Sequence, residues 1–257
     1  MSVVETSAAH PAVTTEAARL ASAAGRATPY RSTARWAGIW FILTFAASIP
    51  AALWLYTPVL DHEDYILGGG ADSRIALGAL LEVVTVIANI ATAVVLFPVV
   101  RRVKEGVALG YVASRIVEST AIVVGLISLM SVVTLRQDLA GKADAGTLTV
   151  AGHTLVAVHD WTFLLGPAFC AGLGNGLLLG YLMYTSRLVP RRMAMVGLAG
   201  GALALVTATA VLFGAWNQES GVSFLLTAGE IVWEAFLGIY LTFRGFRPEG
   251  VAALGKR

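Results

Sequence analysis

Six stretches of this chain are long and apolar enough to cross a bilayer, and nothing else in the sequence constrains its fold as tightly. They fall at about 36–56, 75–99, 109–135, 161–184, 193–216 and 222–243. A run of roughly 18 or more apolar residues reads as a transmembrane helix. A helix satisfies its own backbone hydrogen bonds where no water can do so. Composition agrees: 13% of residues are charged, against about 25% in soluble domains. The predicted fold class is all-α, a polytopic membrane protein with a six-transmembrane-helix bundle over residues 35–245. Residues 1–34 are rich in Ala, Thr and Ser and read as a disordered tail with a short helix near Thr15–Ala24. They do not read as a signal peptide, because the apolar run that follows is long enough to span. Residues 246–257 read as a second, polar and basic tail.

Charge then orients the bundle. With six spans both ends lie on one side. That side carries 14 of the Lys and Arg residues, in the N-terminal tail, the 101–104 and 187–192 loops and the C-terminal tail; the other carries Arg74, Arg136 and Lys142. Positive charge collects on the cytoplasmic side of short loops, so both termini are expected in the cytoplasm of a multi-pass cell-membrane protein.

Local signals refine the spans. Trp36 and Trp40 at one end of the first span, and Trp54 and Tyr56 at the other, suit the two interfaces. Pro50 is expected to loosen its far end, and Gly166-Pro167 to bend the fourth span. Residues 136–153 read as a long polar loop. His159 and Asp160 are expected at the interface, with Asp160 helping the fourth span to start. Ala168, Gly172, Gly176 and Gly180 then recur every fourth residue, a small-residue stripe that lets another helix approach closely. Gly197 and Gly201 form a second small pair on the fifth span. The acidic loop Asp61-His62-Glu63-Asp64 reads either as a cation site or as a solvated loop without ligand spacing.

The chemistry-bearing candidates are charges inside the apolar spans. Arg115 and Glu118 stand three apart on the third span and so share a face. A charge at the centre of a span is unfavourable by roughly 2.5–3.5 kcal/mol on insertion scales, so it faces other helices and finds partners. One glutamate leaves most of the five guanidinium donors free. Glu82, Glu230 and Glu234 are the expected further acceptors, with Asn89, Asp160 and Asn175 as secondary polar candidates. Four carboxyls against one guanidinium leave surplus negative charge, so Glu230 or Glu234 is expected to carry a proton and donate a hydrogen bond. The cluster reads either as a packing clamp or as a substrate or proton site.

Other functions lose support. The single cysteine, Cys170, makes neither an intramolecular disulfide nor a metal motif. The four histidines stand outside the middles of the spans, which disfavours haem ligation. There is no His-Glu-x-x-His helix, no Gly-x-Ser-x-Gly elbow and no phosphate-cradling glycine loop. No cofactor or metal is expected. No basic patch with interleaved aromatics points to nucleic acid. The expected partner is the lipid bilayer, with any small-molecule ligand and the oligomeric state left open.

Four stretches carry a family resemblance: Leu77-Gly-Ala-Leu-Leu-Glu82, Leu109-Gly-Tyr-Val-Ala-Ser-Arg-Ile-Val-Glu118, His159-Asp-Trp-Thr-Phe-Leu-Leu-Gly166 and Tyr184-Thr-Ser-Arg-Leu-Val-Pro190. They are spread over roughly residues 35–245, and the chain resembles an uncharacterised bacterial membrane family, domain of unknown function 4386. His159 stands where that family more often has another residue. The resemblance implies a multi-helix membrane protein and no particular activity. Three functions remain open from the residues: a structural, sensory or accessory bundle; a small-molecule or proton-coupled transporter using Arg115 and the buried carboxylates; and a membrane enzyme without a familiar motif.

Overall fold

The structure is a computed structural model that describes residues 30–255 except Glu63 and Gly69. The expected helix near Thr15–Ala24 and the Glu63 position of the acidic loop lie outside the described residues. The described chain is helical, without strands, and six helical segments are long and apolar enough to cross a membrane: Arg31–Leu55, Asp72–Val100, Glu105–Leu139, Ala145–Ser186, Arg191–Leu212 and Gly221–Phe243. These are called the first to sixth spans below. Each packs against its neighbours in sequence, and the sixth packs back on the first, so the six close into a ring.

The side chains of the second span show what the ring encloses. Thr85, Asn89 and Thr92 are buried, while Leu80, Ile87 and Val94 are exposed. The buried set recurs at intervals of four and three, one helical turn, and the exposed set at intervals of seven, two turns, so they mark different stripes. Such an inside-out distribution suits a hydrocarbon surround and contradicts a water-facing surface.

Two predicted irregularities are present. Ala51–Leu55, directly after Pro50, is π-helical, and so is Leu164–Ala168, which contains Pro167. A proline removes one backbone donor and crowds the preceding turn, so the hydrogen-bond ladder slips to a wider register. A third π segment, Gly172–Leu179, holds the small-residue stripe and Asn175.

The reading of residues 136–153 as a loop is corrected. The third span continues to Leu139, and the next helix begins at Ala145. The residue that starts it is Asp144, not Asp160: the Asp144 carboxylate accepts from the Thr147 amide at 2.9 Å and from the Thr147 hydroxyl at 3.0 Å. Those bonds hold its carboxyl below the usual carboxylate range. Asp160 lies within the continuous 42-residue helical run. That run is about 60 Å long at 1.5 Å per residue, twice the hydrocarbon thickness. Such a run is longer than a single crossing needs.

The end of the bundle remote from the termini is tied by Arg136, which bonds to the Gly68 carbonyl at 2.8 Å and pairs with Asp72. Tyr65 donates to the same Asp72 carboxylate at 2.5 Å. Burial and that bond raise the Tyr65 hydroxyl above the ordinary tyrosine range. At the other end the predicted tail is partly structured. Pro248–Leu254 is a short helix with Leu254 buried, and the Arg247 amide donates to the Leu188 carbonyl at 2.8 Å. Gly250 is placed where a Cβ would stand 2.8 Å from the Arg187 backbone, so that close seat requires glycine.

Candidate functional site: a polar layer inside the ring

The spans bring their polar groups to one level. Counting from the ends nearest the termini, Arg115 and Glu118 lie ten and thirteen residues into the third span, and Asn89 lies eleven from the end of the second. Asn175 is eleven residues from the end of the fourth span; Glu234 and Glu230 are nine and thirteen from the end of the sixth. At 1.5 Å per residue all six fall at about 14–20 Å.

Arg115 is 1% exposed and Glu118 5%. Arg115 donates through Nη1 to Glu118 Oε2 at 2.7 Å and through Nη2 to Asn89 Oδ1. Asn89 Nδ2 in turn donates to Glu118 Oε1 at 3.1 Å. The three residues close a triangle in which each bonds to the other two. This amide neutralises no charge but supplies one acceptor and one donor, so it bridges cation and anion at once. The i, i+3 spacing brings Arg115 to Glu118; packing of the second span supplies Asn89.

Across the ring, Asn175 Nδ2 donates to Glu234 Oε1 at 2.6 Å, and Trp233 Nε1 donates to the Asn175 carbonyl at 2.9 Å. Glu230, 3% exposed, differs from the rest: both of its carboxyl oxygens are buried without a hydrogen-bond partner. Arg115 Nε, Ser119 Oγ and Asn175 Oδ1 are also unpartnered. The hydrogen bond expected from a protonated Glu230 is therefore not formed among the described residues.

Glycines bring the spans together around this layer. A Cβ on Gly176 would collide with Gly201 Cα and stand 2.6 Å from Glu230 Oε2. A Cβ on Gly172 would stand 3.0 Å from the Gly201 carbonyl, and one on Gly180 3.3 Å from the Leu198 amide. Gly197 makes room for the Trp233 ring, with a hypothetical Cβ 2.6 Å from it. The stripe on the fourth span thus meets the fifth span, and the fifth meets the sixth. Cys170 is buried beside the layer, where its carbonyl accepts from Ser114 Oγ at 2.9 Å.

Two sequence candidates stand apart. Glu82 lies about 10 Å from Asn89, seven residues along the same helix and farther from the side that holds the termini. It accepts from the Tyr56 hydroxyl at 2.9 Å. Asp160 has a largely exposed carboxylate 3.3 Å from His159 Nδ1. Among the described residues, Arg115 has no hydrogen bond or ion pair to Glu82, Glu230 or Glu234. Sequence reading overlooked Tyr56 as a site residue, because an aromatic at a span end reads as an interface anchor. Ser119 was also missed; its place four residues after Arg115, on the same face, was the available signal.

The model of one protein family, Domain of unknown function (DUF4386), matches residues 36–245, all six spans. The chain belongs to that family. Its matched region contains Arg115, Glu118, Asn89, Asn175, Glu230 and Glu234, so the polar layer lies wholly within the domain of unknown function 4386. No curated protein and no solved structure matches the chain.

Proposed function

We propose that this chain is a structural, sensory or accessory membrane bundle whose polar layer clamps the helices, with both termini in the cytoplasm. The observation that carries this reading is the closed Arg115–Glu118–Asn89 triangle, in which every member is 5% exposed or less. A transport site has to meet solvent; these residues meet each other. The orientation rests on the excess of Lys and Arg on the side that holds the termini.

A second reading, a proton-coupled or small-molecule carrier, is favoured by one observation. Glu230 has no donor to hold a charge, and a buried carboxyl in that state is far better tolerated with its proton than without. Glu234, one turn along, is only half-buried. The two readings separate in a thermal-unfolding screen of purified protein against amines, amino acids, sugars and carboxylates. A polar layer that serves only as a clamp predicts no compound whose stabilising effect depends on Glu230. A compound that stabilises the parent but not Glu230→Gln would overturn the clamp as a full account and support the carrier.

A further inference from the structure

Outward of the polar layer lies a second set of titratable side chains, sharing no residue with the first. Tyr56, at the end of the first span, bonds to Glu82 on the second. Its ring covers Gly78, where a Cβ would stand 2.6 Å from Cε1. The His159 ring meets the Tyr56 ring edge-on, with centroids 6.1 Å apart and planes at 78°. On its other side His159 faces Gly125 of the third span, where a Cβ would stand 3.3 Å from Cδ2. Two glycines on two helices therefore leave the space that two rings fill. His159 is 8% exposed, although it lies near the outer end of the bundle. Its neighbour Asp160 opens into a cleft of about 380 Å³, lined also by His62, Tyr65 and His153.

We infer that His159 and Glu82 form a proton-binding pair loaded from this outer cleft through Asp160. Histidine is the side chain whose charge ordinarily changes between about pH 5 and 8. Here Asp160 stands on its solvent side, 3.3 Å from Nδ1, and on its other side the Tyr56 ring carries the hydroxyl that bonds to Glu82. The Tyr56 hydroxyl holds Glu82 in place. At the His159 contact the third span presents Gly125 and the Thr162 hydroxyl lies beside it, neither of them titratable. The proton balance is simple. Asp160 takes a proton from water in the cleft and passes it to Nδ1 of His159, becoming a carboxylate again. The imidazolium then neutralises Glu82, so a pair with one negative charge becomes a neutral pair. A metal ion fits less well: among the described residues, no group of three or more His, Cys, Asp or Glu is placed to hold one.

Nuclear magnetic resonance of histidine-labelled protein in lipid tests the pair, with the His159 signal assigned by its loss in His159→Gln. Glu82→Gln removes the inner negative charge and is expected to lower the His159 midpoint measurably. The His62 and His153 midpoints stay where they were. Asp160→Asn, at a solvent-exposed site that tolerates change, lowers the same midpoint by a smaller but measurable amount. A His159 signal that does not titrate overturns the inference, as does a midpoint unmoved by Glu82→Gln. If Glu82→Gln does not fold, an unmoved midpoint in Asp160→Asn overturns it. None of these results bears on Glu230 or on the thermal screen.

Discussion

Gly176→Ala adds a single methyl group at one of the tight helix crossings in the bundle. Its Cβ would collide with Gly201 Cα and stand 3.0 Å from Gly201 N, where ordinary contacts are 3.4–4 Å. Both neighbours are backbone, so no side chain can swing aside; the fourth and fifth spans must separate by about an ångström. In lipid, helices associate through close packing rather than through expulsion of water, so separation removes the stabilising contact itself. Overpacking of this kind costs about 1–3 kcal/mol. At about 2–4 °C per kcal/mol for a chain of this size, the melting temperature should fall by about 2–12 °C, and further for Gly176→Leu. The protein supplies its own probe, because Cys170 is its one cysteine and is buried. A maleimide dye that fluoresces on reaction reports unfolding as that thiol becomes accessible. Gly106→Ala is the control, since a Cβ there meets nothing within 4 Å; it should be neutral or slightly stabilising. A Gly176→Ala protein as stable as the parent would refute the crossing.

Reporter fusions after Lys104, Arg192 and Arg257 should report cytoplasm, and fusions near Ala143 and Glu219 the outside; an external 101–104 loop would invert the assignment. Asp144→Ala should speed amide exchange at Thr147 at neutral pH. The Asp144 carboxyl is held below its unfolded value, so its cap is fully present above about pH 4 and is lost as pH falls through the folded value. Parent and variant should therefore converge in strong acid, and a difference that persists there would contradict the cap. Arg136→Ala frees the Gly68 carbonyl and Asp72, so proteolysis within residues 61–71 should accelerate while the spans remain intact. Unchanged cleavage would show that Arg136 does not hold that loop.

Much of this architecture was legible in sequence because hydropathy and small-residue spacing are local signals. The six spans, an irregularity after Pro50 and another at Gly166-Pro167, and the stripe through Gly172, Gly176 and Gly180 are all readable from one segment at a time; the π-helical form of those irregularities is not. Counting residues from the sequence puts Arg115 and Glu118 in the half of the third span nearer the termini, Glu230 and Glu234 near the middle of the sixth, and Glu82 in the far half of the second. Adjacency was not legible. Nothing in either helix says that Arg115 takes Asn89 rather than Glu82 as its partner from another span, or that Glu234 is held by Asn175. Those pairings depend on how the ring closes. The start of the fourth span at Ala145 was hidden for a different reason. Thr147, Thr149 and Thr154 among small residues carry no apolar run, and the one available signal, an Asp followed three residues later by Thr, is weak on its own. The terminal helix Pro248–Leu254 is held by docking of Leu254 and the Arg247 amide, which the sequence of a short basic segment does not reveal.

The Arg115–Glu118–Asn89 triangle is tested most directly by a double-mutant cycle on its charged pair. Breaking a buried ion pair from one side costs about 3–5 kcal/mol, because the remaining charge is left without its partner. Arg115→Met should therefore destabilise the bundle strongly. Glu118→Gln keeps an oxygen to accept from Asn89, and adding it to Arg115→Met removes the uncompensated charge, so the double variant should recover much of the loss. Thermal unfolding of the parent, both single variants and the double variant, read at Cys170, gives the coupling. A large loss on Arg115→Met with recovery in the double variant is the predicted result; an Arg115→Met protein as stable as its parent would contradict the clamp.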